Sequence, residues 1–164
     1  WAGIFAAIAA TSLGAISDFI GRRTAYIIGS LGSLIMAVPS FYITYLGAVL
    51  RSVPLLFLGS LLIGWFTQWT WGLVPAYLSE RFGTVRRASG VGFGYSSGVF
   101  ISAWMTLYAI PLHSTFKVIE GTNVWFTASF FLMLAGILIF IPALMGPETK
   151  NVNLATVEER VRSK

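Results

Sequence analysis

The stretch TAYIIGSLGSLIMAVPSFYITYLGAVL, residues 24–50, contains no Asp, Glu, Lys or Arg. The same is true of four further stretches: residues 1–17, 52–79, 88–116 and 121–147. A helix needs about 20 mainly apolar residues to cross the hydrocarbon core, and a charge at its centre costs about 2.5 to 3.5 kcal/mol on insertion scales. Long uncharged stretches separated by short charged clusters therefore predict an all-α membrane protein with five transmembrane helices.

The composition excludes a water-soluble fold. Of the 164 residues 56% are hydrophobic and 10% are charged, whereas a soluble domain carries about 25% charged residues. With no cysteine and a single histidine, His113, the chain has no cluster for a disulfide or a metal, and we predict neither metal nor cofactor. The net charge of +5 does not indicate a nucleic-acid partner, because the basic residues are sorted by loop rather than gathered on one face.

The distribution of basic residues predicts the orientation. Segments 18–23, 80–87 and 148–164 hold all of the 11 basic residues except Arg51 and Lys117. Cytoplasmic loops carry the excess of Lys and Arg, so we expect these three segments and the C-terminus to be cytoplasmic in a plasma or inner membrane. The predicted bundle comprises residues 1–147, and a cytoplasmic tail follows at 148–164. Within the bundle we expect outer connections at 47–53 and 111–123. The expected spans are about 1–17, 24–46, 54–79, 88–110 and 124–145. Because the chain begins at Trp1 without Met, we read it as a piece of a longer polypeptide.

Small residues recur at every fourth position in three of the spans, and such stripes allow helix backbones to approach closely in lipid. The stripes are Ala2, Ala6, Ala10, Gly14; Ala25, Gly29, Ser33, Ala37; and Gly90, Gly94, Gly98, Ser102. Four prolines, Pro39, Pro75, Pro111 and Pro142, lie within or at the ends of spans. They permit kinks suited to a protein that rocks between two states, or they are simply tolerated there.

The charged segments carry three motifs. Residues 14–23 read GAISDFIGRR, residues 75–88 read PAYLSERFGTVRRA, and residues 147–150 read PETK. In this order they resemble the C-terminal half, helices 8 to 12, of a major facilitator superfamily transporter of the sugar-porter-like or metabolite:proton symporter branch. The usual Phe-Pro is Phe82-Gly83 here, and the third span lacks the G-P-x-P-W segment of sugar porters, which disfavours a sugar.

That resemblance implies an ion-pair network on the cytoplasmic side. It assigns Asp18, Arg22, Arg23, Glu80 and Arg87 to the network, with Glu148 as a further member. Pairs that form in one state and are hydrated in the other would act as a latch. The alternative is that these charges only fix the topology.

Candidate substrate residues lie in the third and fourth spans. Trp65, Gln68, Trp69 and Gly72 share one helical face by their i, i+3, i+4, i+7 spacing, and Tyr95 and Trp104 are further candidates. A buried amide among indole rings suits a small polar or planar solute, although the same face can serve helix packing.

We therefore predict a secondary active transporter, not an enzyme, that moves a small organic acid or sugar-like metabolite by alternating access with proton coupling. Its expected partners are the substrate, protons, the lipid bilayer and a missing N-terminal half. Because no titratable residue lies near the middle of a span, the coupling acid would belong to that half, or the protein is a uniporter. A non-transporting receptor or scaffold on the same fold, and a dimerising half-transporter, are also compatible with the sequence.

Overall fold

The computed structural model describes residues 2–82, 86–121 and 123–150, and in them the chain is almost entirely helical. The helices are α1 (Ala2–Ile20), α2 (Arg22–Val49), α3 (Val53–Gln68), α4 (Val74–Arg81), α5 (Arg87–Ala103), α6 (Met105–Glu120) and α7 (Trp125–Met145). The described part of the chain has no strand. Thr156 and Glu159, whose spacing suits a capping box at the start of a short helix in the tail, lie outside the described residues.

Four helical segments are long and apolar enough to span a membrane, and the count is five if α5 and α6 form one bent span. The four are α1, α2, α7 and the continuous stretch of α3 and α4, Val53–Arg81. The prediction of an all-α, multi-pass membrane protein is confirmed.

The third span is broken in its second half by a 3₁₀ turn, Thr70–Leu73. Pro75 has no N–H, so it cannot donate to the carbonyl of Trp71 as an α-helix requires. The N–H of Val74 donates to that carbonyl instead, over the shorter 3₁₀ interval. This break places Trp71 and Gly72 on the turn between α3 and α4.

The fourth span differs from its prediction. Residues 111–120, predicted as part of an outer connection, are helical, and the bend of 44° falls between α5 and α6, at Trp104. The expected outer connection at 111–123 is therefore largely helical, and Gly121, with φ +62°, follows the end of α6. Of the four prolines, Pro75 alone stands at a break; the other three lie inside helices.

Helix α2 is the centre of the bundle and packs most extensively against α7 and α3. Its predicted small-residue stripe is buried along its whole length, and a Cβ at Gly29 would come within 2.9 Å of Leu13. On α1, Gly14 lies against the backbone of Gly72. On α5 a Cβ at Gly90 would come within 2.6 Å of the Phe82 ring, but a Cβ at Gly98 would meet nothing within 4 Å, and Gly98 and Ser102 are exposed, so only the first half of that stripe has close neighbours among the described residues.

Candidate functional site

A one-residue turn brings the first charged motif together. Gly21 joins α1 to α2 with φ +96°, a conformation that glycine adopts without the steric cost of a Cβ. A Cβ at this position would also lie 2.5 Å from Oε2 of Glu148. The turn therefore requires glycine for two reasons, and it sets Asp18 and Arg22 side by side at one end of the bundle.

Arg22 forms both ion pairs found among the described residues. Its Nη1 lies 2.7 Å from Oδ1 of Asp18, and its Nη2 and Nε each lie 3.1 Å from Oε1 of Glu80. Nη1 also donates to the hydroxyl of Ser17. The Arg22 and Glu80 side chains are largely buried, whereas that of Asp18 is 62% exposed, so the pair with Glu80 is the less screened by solvent.

Glu148, from the segment after α7, caps the N-terminus of α2. Its carboxylate accepts the backbone N–H of Arg22 at 2.7 Å and of Arg23 at 3.1 Å, and also the N–H groups of Thr149 and Lys150. Partial burial by itself would raise the pKa of Glu148, but these four N–H donors outweigh it and hold the pKa below its ordinary value. A carboxylate is also favoured here by the partial positive charge of the helix N-terminus.

Thr149 closes the cluster. Its buried hydroxyl donates to Oε2 of Glu80 at 2.6 Å, the carboxylate oxygen that Arg22 does not use. Lys150 donates from Nζ to the carbonyl of Phe19. The segment after α7 is thus bonded to the end of α1, the start of α2 and the end of α4.

The two remaining predicted members have other partners. Arg23 donates from Nε to the carbonyl of Ala143 at 3.2 Å and from Nη2 to that of Leu144 at 2.7 Å, so it caps the C-terminus of α7. Arg87 makes one long bond, 3.4 Å from Nε to the carbonyl of Phe82, and its buried Nη2 has no partner in the described part of the chain. Asp18, Arg22 and Glu80 therefore form the ion-paired centre, Arg23 adjoins it, and Arg87 is not ion-paired to a described residue.

The predicted aromatic residues separate into two groups. Trp69 packs into the core beside Leu13 and Leu73, with its ring 3.0 Å from where a Cβ of Gly32 would be, and the Trp65 ring lies 6.4 Å from it. Trp69 therefore serves helix packing, although its buried Nε1 has no acceptor among the described residues. Gln68 is the last residue of α3 and is partly buried.

The second group lies where both broken spans meet. Tyr95 of α5 contacts Trp71 edge-to-face, with ring centroids 5.6 Å apart, and both rings are nearly half exposed. Trp104, at the bend, contacts Phe100 instead. Sequence reasoning did not select Trp71; its position four residues before Pro75 was the available signal.

No group of three or more His, Cys, Asp or Glu side chains is arranged to hold a metal ion within residues 2–82, 86–121 and 123–150. The chemistry of this region is therefore that of ion pairs, helix caps and aromatic faces.

Comparisons with known proteins relate the chain to membrane transporters. The family model described as "Sugar (and other) transporter" matches residues 2–160. The putative niacin/nicotinamide transporter NiaP of Bacillus subtilis is 32% identical over 133 residues, which cover 79% of this chain and 28% of that protein. The glycine betaine/proline/ectoine/pipecolic acid transporter OusA of Dickeya dadantii is 25% identical over 139 residues, 85% of this chain and 26% of that protein.

The chain thus spans little more than a quarter of the length of these relatives. No solved structure matches it significantly. Both relatives are named as transporters, which confirms the predictions that the protein is not an enzyme and that it resembles the major facilitator superfamily. The chain belongs to the sugar (and other) transporter family of that superfamily.

Proposed function

We propose that this chain is part of a secondary transporter that moves a small nitrogen-containing organic acid, or its amide, by alternating access, with Arg22 at the centre of a cytoplasmic latch. Family membership supports transport of a small solute across a membrane. The proposal of a latch is supported by the geometry at Arg22, whose guanidinium pairs with one carboxylate from α1 and one from α4.

A latch must be strong enough to favour one state and weak enough to open. A hydrogen bond to a charged group contributes about 1.5 to 3 kcal/mol when it is shielded, and an exposed ion pair contributes about 0 to 1 kcal/mol. Glu80 belongs to the first class and Asp18 to the second, by their exposure. Energies of this size can bias a two-state equilibrium without freezing it. The buried Nη2 of Arg87 is an additional donor that a carboxylate of the missing half would satisfy.

The substrate class is argued from the aromatic pair and from the two relatives. The exposed faces of Trp71 and Tyr95 can contact a flat heteroaromatic ring or a cationic nitrogen. The relatives are named for niacin and nicotinamide and for betaine, proline, ectoine and pipecolic acid, and each of these compounds joins a nitrogen centre to a carboxylate or carboxamide. The names of the relatives therefore favour a compound of this class over a sugar, and the aromatic pair can accommodate it.

Proton coupling and orientation belong to the same proposal. The basic segments 18–23 and 80–87 lie on the cytoplasmic side, with the C-terminus, as the positive-inside rule favours. The coupling acid is then a carboxylate of the N-terminal half.

The latch is tested by measuring uptake of labelled nicotinate and proline into vesicles that contain the full-length protein. We expect Glu80→Gln to lower the initial rate about tenfold, because the bonds that it weakens are each worth about 1.5 to 3 kcal/mol, while the amount of inserted protein stays unchanged. Asp18→Asn is the matched control, with a loss of less than about fivefold since its pair is exposed. An unchanged rate for Glu80→Gln would reject the latch, and binding without uptake would favour a receptor.

A further inference from the structure

A cavity lies beside Arg23, near the ion pairs of Arg22. This half-open cavity of about 480 Å³, within the usual size of ligand sites, is bordered by α2, α4, α5 and α7. Its apolar lining consists of Val74, Leu78, Gly94, Leu138, Ile139, Pro142 and Ala143. Since α5 packs mainly against α4 and α6, the cavity occupies the space between α5 and α7.

The polar groups of this cavity are gathered at one end. Arg23, Tyr26 and Tyr77 contribute to the lining, and the two tyrosine rings meet edge-to-face at 5.3 Å. The guanidinium of Arg81 lies over the Tyr77 ring, 5.5 Å from its centroid. Arg23 therefore lines the cavity directly, and Arg81 contacts one of its lining residues, Tyr77.

Neither cation is neutralised by a described acidic residue. The carboxylates of Asp18 and Glu80 pair with Arg22, and that of Glu148 accepts backbone N–H groups. Arg23 uses Nε and Nη2 to cap α7, and within the described residues its Nη1 has no hydrogen-bond acceptor. An anion at this end of the cavity would meet guanidinium groups that form no ion pair with a described carboxylate.

The position of the cavity matches that of a lipid in one leaflet. Arg23 is in the first turn of α2 and Arg81 is the last residue of α4, so both lie at the ends of their spans. Leu138 lies two turns before the end of α7, about 10 Å deeper along the helix axis. The charged end would meet the headgroup region, and the apolar walls would extend into the hydrocarbon.

We propose that this cavity binds an acidic glycerophospholipid, with its phosphate at Arg23 and Arg81 and one acyl chain between α5 and α7. Basic pockets between spans on the cytoplasmic side suit anionic headgroups, and each basic side chain near the surface contributes about 1 kcal/mol to such binding. A free phosphate or organic anion would gain nothing from the apolar walls, and a zwitterionic lipid would gain less from two guanidinium groups. This inference depends on the orientation given above but not on the transported substrate.

The test uses the full-length protein in phosphatidylcholine bilayers that contain a small amount of phosphatidylglycerol with a photoreactive acyl chain. We expect labelling at Leu78, Leu138 or Ile139 that unlabelled phosphatidylglycerol competes away and inorganic phosphate does not. Equal labelling by the photoreactive phosphatidylcholine, or competition by inorganic phosphate, would overturn the proposal.

Two variants with matched controls test the binding of the acyl chain and the binding of the headgroup separately. A Cβ at Gly94 would meet Leu78 at an ordinary 3.4 Å, so Gly94→Leu fits locally and fills the cavity, whereas Gly92→Leu, on the same helix, enters open space. Gly94→Leu should abolish the labelling, and Gly92→Leu should retain it. Arg81→Gln should weaken phosphatidylglycerol labelling about fivefold, while Arg51→Gln, at the other end of the bundle, should not. Labelling that persists in Gly94→Leu, or is unchanged in Arg81→Gln, would refute the site.

Discussion

The cap that Glu148 places on α2 allows a quantitative prediction for Glu148→Gln. The variant keeps the shape and one acceptor oxygen but removes the charge that faces the N–H groups of Arg22 and Arg23. A carboxylate at a helix N-terminus contributes about 0.3 to 1 kcal/mol, and a charge-assisted hydrogen bond is roughly twice as strong as a neutral one. Because Glu148 is exposed to solvent, we expect a loss near 1 kcal/mol, in line with the upper end of that surface range.

The assay is hydrogen exchange of the full-length protein, followed on a peptide that contains the first turn of α2. A loss of about 1 kcal/mol in opening free energy corresponds to roughly fivefold faster exchange of the amides of Arg22 and Arg23. Asp18→Asn is the control, since Asp18 bonds the Arg22 side chain and not the backbone of α2. Equal exchange of Glu148→Gln and the unmodified protein would show that the carboxylate does not cap α2.

The pH dependence of stability is an independent test of the cap by Glu148. The pKa of Glu148 is lowered in the folded protein, so the stabilisation is fully present above the ordinary value of 4.5 and is lost as the pH falls through the lowered value. Compared at equal pH, the variant and the unmodified protein should differ at neutral pH and converge in acid. A difference that stays constant into the acid range would refute the electrostatic account of the cap.

Three further substitutions test the geometry. Gly21→Ala places a Cβ in a positive-φ conformation that glycine alone adopts readily, which costs about 1 to 3 kcal/mol, and also against Glu148. The thermal unfolding temperature in detergent should therefore fall, and an unchanged value would contradict the turn. Gly72→Ala should destabilise the protein in the same measurement, because its Cβ would overlap the Ala10 backbone, whereas Gly92→Ala meets nothing; equal effects would exclude this crossing. Tyr95→Leu, which removes the ring that contacts Trp71, should raise the KM for nicotinate uptake more than Trp104→Leu does. A larger effect of Trp104→Leu would indicate that the substrate binds at the bend between α5 and α6 instead.

The spans could be predicted from the sequence because the cost of a charge in lipid acts on each segment separately. The stripes of small residues predicted close helix packing correctly only where another helix lies against them. The α2 stripe is buried under α1, α3 and α7, while the same spacing on α5 leaves Gly98 exposed. Helix breaks were also context-dependent: Pro75 coincides with one, but Pro111 stays within α6 and the bend falls at Trp104. Local residue type therefore fixes which segments enter the membrane but not how each one bends.

For the candidate site, the motifs selected the residues but not their bonds. Asp18 and Arg22 are four residues apart on consecutive helices, and their pairing follows from the glycine turn. The cap by Glu148 joins residues 126 positions apart, a separation that a single sequence does not resolve. Arg23 was assigned to the network by the resemblance of its motif, yet its side chain donates to carbonyl oxygens, which carry no sequence signature.

The contacts around the Gly21 turn are of two kinds, and the difference bears on how a latch could work. Glu148 and Arg23 cap the backbones of α2 and α7, the two helices that pack most extensively, so breaking these bonds would also weaken the helix ends. The bonds of Arg22 to Asp18 and Glu80 are between side chains, which water can replace without unfolding a helix. A change of state would therefore break the second kind and leave α2 and α7 as one rigid unit. On this reasoning, substitutions at Glu80 should alter transport more than stability, and substitutions at Glu148 should alter stability more than transport.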